Sequence, residues 1–466
     1  MFNISVSSTV ISPENIAVNR FGYGARGDEL KQAKADPKQW LSSQLKTIKF
    51  SDKQPSSDDI FIAYTKFKKQ KNLMKQQKNQ AQNSQVLDKN KNKEKNKMLK
   101  DSIHKNYVKM SADSLKQAIT SEYSVSWRLL DFFSNHFSVS THGRLMLGLS
   151  PTLEREAIAP NLLGNFADML LAVEQHPAML IYLNNENSFG PNSRLAKKRK
   201  VGLNENLARE IMELHTLGVD GGYSQQDVIE LAKGITGWSV IKAKKEHGTG
   251  FVFRDYGHEP GMRTLLGKKY YQSGMLQGKQ MLRDLAMHPN TAKYVCTKIA
   301  HHFVSENPSQ SLIIKMQNTW LNNQGNIKKV MLTLFDAQET WLTSAQKFKT
   351  PREFVISTYR AIAPKHINSK ILFYSLNNLG QTPFNSGSPA GFSDEESDWL
   401  GASALMARVE WSTLVSGQVR GINAEQVMTT ALGSSISQNT YHIVMSAESR
   451  QQASTLLLMS PEFQRR

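Results

Sequence analysis

The sequence predicts a mainly α-helical protein with one small β-hairpin element near residues 238–271. Three observations carry that reading. From about Ser114, apolar residues recur at three- and four-residue steps, as in Leu115, Ala118, Ile119, Tyr123 and Trp127. The stretch Asn161 to Gln175, NLLGNFADMLLAVEQ, is apolar on nearly every side, as a buried helix would be. The helical period then breaks between 238 and 271, where the short alternating runs SVIKA and FVFRDY are parted by glycine.

Taken in order, residues 1–50 form an N-terminal helical segment. Two short helices there are broken by Gly22, Gly24 and Gly27, with Trp40 and Leu41 as an apolar anchor. Residues 51–118 form a Lys/Asn/Gln-rich insertion, 119–350 the helical core, and 351–466 a C-terminal helical region. A chain of 466 residues exceeds the size at which one hydrophobic core usually stops growing, which predicts two or three packed units. The net charge of +18 is concentrated in the insertion. Lys66 to Lys109 holds 14 lysines against Asp88, Glu94 and Asp101, a net of +11 that leaves +7 for the rest. With almost no aromatic or β-branched residues, this segment reads as disordered or as a solvated helix. No arginine fork or interleaved aromatics accompany the lysines, which argues against nucleic acid as a partner.

Further along, HPAMLIYL (His176 to Leu183) and HPNTAKYV (His288 to Val295) each follow an apolar helix, so proline opens a new helix after a histidine corner. Two matched corners could instead place His176 and His288 across one pocket. Gly218 reads as a left-handed cap, and SQQD at Ser224 as a capping-box start. After Leu276 helices continue to Pro461, and the last hundred residues show no catalytic grouping. No apolar run reaches the roughly 18 residues that a membrane-spanning helix needs. Met1 to Arg20 lacks the pattern of a secretory signal, which gives a cytoplasmic expectation. Cys296, the single cysteine, lies in an apolar helix and reads as a buried, inert thiol.

The segment richest in chemistry is Gly202 to Gly218, GLNENLAREIMELHTLG. At about 100° per residue, Asn206, Arg209, Glu210 and Glu213 share an arc of roughly 100°, apart from Leu207, Ile211 and Leu214. Glu210 and Glu213, with His136 and His176, are candidates for acid–base work. Asn204, Asn206, Arg209 and Asn185 are candidates for substrate contacts. The plain alternative is a wet helix face with i,i+4 pairs Asn206/Glu210 and Arg209/Glu213. A divalent transition metal would draw on His215, His258 and His288, assembled from separate segments, because no H-E-x-x-H spacing exists. His301 and His302 are adjacent and cannot both face one metal from a regular helix. No phosphate loop, dinucleotide fingerprint or G-x-S-x-G elbow occurs, and the basic KKRK at Lys197 to Lys200 reads as a solvated loop.

At NRFGYGAR (Asn19 to Arg26), SNHFSVS (Ser134 to Ser140), HPAMLIYLNN (His176 to Asn185) and GPNS (Gly190 to Ser193), the chain resembles the bacterial domain-of-unknown-function 1800 family. The likeness continues through GLNENLAREIMELHTLGVDGGYSQQDV (Gly202 to Val228), TGW, HEPGMRTLLG, HPNTA, KFKTP (Lys347 to Pro351), SPAGF (Ser388 to Phe392) and SPEFQRR. It implies a mostly helical bacterial protein, often encoded beside an exported partner of unknown function; many relatives are themselves exported. The lysine-rich insertion is not part of the family pattern, and Asn184 stands where relatives commonly have aspartate. Two readings follow. One is an acid–base or metal-assisted, hydrolase-like enzyme with its pocket around the 202–218 helix. The other is a non-catalytic, chaperone-like partner of the co-encoded protein.

Overall fold

The computed structural model describes residues 11–80, 89–241, 250–342, 344, 347–418 and 423–466, with backbone alone for 74, 77–80 and 89–101. Part of the expected hairpin run SVIKA, and Asp88 and its neighbours in the insertion, lie outside the described residues.

The chain is mainly helical throughout these segments. Two long helices, Ser57–Gln80 and Lys89–Thr120, occupy the expected insertion. Among the described residues their polar tract is helical, and the start of the first helix and the end of the second are anchored. Ile60, Phe61 and Phe67 of the first, and Tyr107, Val108, Met110 and Leu115 of the second, are buried. The helical period therefore starts before Ser114, and the last turns of the insertion belong to the core. Lysine, asparagine and glutamine tolerate helix well enough to continue it once both ends are packed.

The 238–271 region holds two antiparallel ribbons. Trp238–Val240 pairs with Phe251–Phe253, with Ser239 opposite Val252, as expected from SVIKA and FVFRDY. A second ribbon, Arg263–Leu265 with Lys268–Tyr270, turns through Leu266 and Gly267, both at positive φ. Leu266 has the wrong side chain for that conformation, and its N–H donates to Asp227 Oδ1 at 2.8 Å, which helps hold the turn.

Buried apolar residues form one contiguous cluster from Ile16 to Phe463, with a satellite of Tyr107, Val108 and Phe373. The expected boundary near 350 is no break in it. Buried guanidiniums staple distant segments. Arg360, fully enclosed, donates to both oxygens of Glu29 at 2.8 and 2.6 Å and to the carbonyls of Gly24, Ala118, Ile119 and Ser121. Residues 464–466 add a short antiparallel pairing, in which Lys349 N–H donates to the Gln464 carbonyl and Arg466 N–H to the Lys347 carbonyl. Among the described residues, no helix is long and apolar enough to cross a membrane. Cys296 is buried, and burial pushes its thiol up, away from nucleophilic reactivity.

Candidate functional site

The 202–218 segment is helical over Asn206–Glu210 and then widens into a π-helical turn, Ile211–His215. Gly218 follows at φ 87°, where a Cβ would lie 2.8 Å from the Tyr294 ring, so only glycine lets the chain pass this close. Leu207, Ala208, Ile211, Met212 and His215 face the core, while Leu214 is only half-buried. His215, a metal-ligand candidate from sequence, is thus inside, and Leu214 has moved toward the surface. Single-turn π-bulges of this kind are frequent at functional sites.

Glu210 and Glu213 are half-buried, and burial raises the Glu210 carboxyl above its ordinary range, with Glu213 adding to the rise. Tyr182, Tyr223 and Tyr294 lie in the field of these carboxylates; burial first, and then Glu213, pushes the Tyr294 hydroxyl up to about 12. The i,i+4 pair expected for Arg209 is replaced. Arg209 donates to Glu205 Oε2 at 3.2 Å and to Gln225 at 2.9 Å, because the π-turn begins between it and Glu213. Asn206 is exposed. Asn204 works as a local turn residue, accepting from Asn206 N–H at 3.0 Å and donating to the Asn184 carbonyl. Asn185 is buried and donates to the carbonyls of Ile235 and Trp238, a backbone tie. Asn184 takes a left-handed conformation (φ 56°), which asparagine tolerates.

Beneath the stripe, His215 Nδ1 lies 2.8 Å from Glu174 Oε1, both fully buried. His136 joins them, with Nε2 3.1 Å from the His215 carbonyl and the ring centroids 6.2 Å apart. Burial holds the His136 imidazole well below its ordinary range, helped by Lys298. The other histidines lie elsewhere. His176 and His288 each cap the helix they precede, their Nδ1 atoms accepting from Ala178 and Asn290 N–H groups at 3.2 Å. They bond the start of the new helix. His176 Nε2 also meets Glu156 at 3.2 Å. His258 Nδ1 sits against the Thr236 hydroxyl and carbonyl. His215, His258 and His288 are therefore held by three different sets of partners and do not form a metal-ligating group. Among the described residues, the group whose ligand atoms converge is His301, Glu306 and Glu395.

A cavity of about 100 Å³ opens on the other side of the Ser124–His136 helix. Its walls include Tyr23, Asp131, Ser134, Asn135, Glu154, His302, Arg352, Glu353 and Asp394. Asp131 accepts from Tyr23 Oη and from Arg352 Nε at 2.6 Å. Burial nevertheless pushes its carboxyl up to about 6, against the pull of Arg352. Ser114 and Ser134 both donate to Glu154, at 2.7 and 3.0 Å. His302 Nδ1 lies 3.0 Å from Asp394 Oδ2, which places the ring proton on Nδ1; Nε2 is buried with no hydrogen-bond partner. Burial lowers the His302 imidazole, while burial of Asp394 is outweighed by His302, His301 and Lys347, which hold that carboxyl well below its ordinary range. Behind them Glu353 faces Arg128 and Arg466, each at 2.9 Å. Burial alone would raise it, but the two guanidiniums hold it at about 2.

Sequence reasoning found Ser134, Asn135 and His136 as a motif but missed Asp131, Arg352, Glu353 and Asp394, and assigned no catalytic grouping to the last hundred residues. Asp394 lies 92 residues from His302, in a stretch without regular period, and only the fold joins them. One signal was available. Five of the resembling segments, NRFGYGAR, SNHFSVS, KFKTP, SPAGF and SPEFQRR, meet at or directly behind this cavity through Tyr23, Asn135, Thr350, Phe392 and Arg466.

No curated protein and no solved structure matches the chain. A family described as "Protein of unknown function (DUF1800)" matches residues 16–465, and the chain belongs to that family.

Proposed function

We propose that this protein is an enzyme of acid–base, hydrolase-like type, with its reaction centred on the cavity between the Ser124–His136 helix and the Asp394 loop rather than on the 202–218 stripe. The observation that supports this most is His302. A carboxylate holds its Nδ1, and its Nε2 is left without a protein partner in a residue that lines the cavity. A histidine oriented by a carboxylate in this way accepts a proton from a hydroxyl or water and returns it to a leaving group once its free nitrogen, enclosed in this conformation, is opened to substrate. Arg352, Asn135 and Ser134 supply donors around the same space, and a cavity of about 100 Å³ suits the reacting end of a small polar substrate. The Glu210/Glu213 stripe then serves as outer surface, and His136, His215 and Glu174 as the packed layer between the two.

The test is a panel of chromogenic esters, amides and glycosides assayed with the purified full chain. His302→Gln should lower any turnover by about 10²–10⁴-fold, the usual contribution of a positioned base. Asp394→Asn should act in the same direction, while Glu213→Gln leaves turnover unchanged. Turnover that survives His302→Gln would remove the cavity from consideration.

A further inference from the structure

We propose that His301, Glu306 and Glu395 bind a divalent transition-metal ion on the outer side of the Asp394–His302 pair. One ligand atom from each residue lies within 4.8 Å of the others. His301 Nε2 is 3.1 Å from Glu395 Oε1 and 3.7 Å from Glu306 Oε2. A carboxylate oxygen of Glu306 and one of Glu395 lie within 4.8 Å of each other, a close approach for two like charges that a cation between them would stabilise. Lys347 does not fill that role for both. Its ammonium is buried, lies 2.8 Å from the other oxygen of Glu306, and donates to the Asp394 carbonyl at 2.6 Å, so it covers Glu306 from the inner side.

The orientation of His301 is the second support. Its Nδ1 lies 3.5 Å from Lys347 Nζ and 3.6 Å from Asp394 Oδ2, while Nε2 faces the two glutamates. A carboxylate behind one ring nitrogen and the ion in front of the other is how a ligating histidine is normally held. Among the described residues Lys347 makes the direct lysine ion pairs with Glu306 and Asp394, and Glu395, on the outer side, is reached by His301. An imidazole with two carboxylates suits zinc, manganese or ferrous iron better than calcium, which takes oxygen ligands in larger number. Glu395 is more than half exposed, so the ion has access from solvent and coordination positions left for water. His302, on the next residue, is not a ligand. Adjacent histidines diverge by roughly 100° on a helix, and what His301 and His302 share is the Asp394 carboxylate.

The experiment uses the full chain stripped with EDTA, dialysed, and titrated calorimetrically with Zn²⁺, with Co²⁺ absorption as a second readout. One ion per chain is expected, with a rise in melting temperature on loading. Glu395→Gln alters an exposed side chain, so the metal-free variant should melt with the wild type yet bind more than about tenfold more weakly. His301→Gln should do the same. His302→Gln removes the proposed base and no ligand, so it keeps the affinity; loss of the metal site and loss of the acid–base reading are therefore separable. Folded wild type that binds no Zn²⁺, or equal affinity in the wild type and Glu395→Gln, would overturn the assignment.

Discussion

Glu353 is one carboxylate set between two guanidiniums, and its surroundings make a pH prediction. Its folded value of about 2 lies below the ordinary 4.5, so it stabilises the fold above pH 4.5, and that contribution is lost as pH falls toward 2. The shift corresponds to about 3 kcal/mol. Glu353→Gln should cost about 3–5 kcal/mol at pH 7, since Arg128 and Arg466 would be left buried and unpaired. The same variant should show a flatter loss of stability between pH 4.5 and 2 in acid-unfolding curves read by circular dichroism. The stripe residues should behave otherwise. Glu210 is half exposed and its carboxyl is raised by burial, so Glu210→Gln should change stability by less than about 0.5 kcal/mol at pH 7, with any change toward greater stability. A loss of several kcal/mol in chemical denaturation would show that Glu210 has a partner the geometry does not give it.

The element that most altered the sequence reading is the π-turn Ile211–His215. Strict helical spacing put Leu214 with Leu207 and Ile211; instead His215 is fully enclosed and Leu214 half exposed. Leu207→Ala should therefore cost about 2–5 kcal/mol and Leu214→Ala markedly less, a contrast readable from urea midpoints. The lysine-rich pair of helices makes a similar contrast. Tyr107→Ala, which empties a buried ring site against Phe373, should cost about 3–5 kcal/mol, whereas Leu73→Ala, nearly half exposed, should be close to neutral. Features of this scale were legible where the signal was local. Ser224 and Asp227 form the capping box, Gly218 has positive φ, and the first ribbon pairs where alternation placed it. The π-turn was not legible, because an inserted residue leaves composition unchanged. The converging ligand atoms were not legible either: His301, Glu306 and Glu395 come from a helix, the loop after it, and a loop 89 residues further on.

For the molecule as a whole, a single apolar cluster from Ile16 to Phe463 predicts one cooperative unfolding transition. Tryptophan fluorescence reports from seven residues spread along the chain from Trp40 to Trp411, and should coincide with far-UV circular dichroism through a urea titration. Two separated midpoints would instead divide the molecule into independent units. Amphipathic spacing made the helices legible but not their assembly. Long-range staples such as Arg360 to Glu29, 331 residues apart, leave no mark in a local window.

The pairing of Lys347–Lys349 with residues 464–466 bears on how the molecule comes into being. The guanidinium that completes the Glu353 cluster, Arg466, and the strand that fixes Lys347 and Lys349 are made more than a hundred residues after the groups they pair with. Tyr23, in the wall of the same cavity, precedes them by more than 400 residues. A nascent chain can therefore collapse and form most of its helices during synthesis while the cavity stays unfinished. Closing so wide a loop makes assembly of this region a late and comparatively slow event in refolding. A chain truncated before residue 460 would lack the charge balance around Glu353.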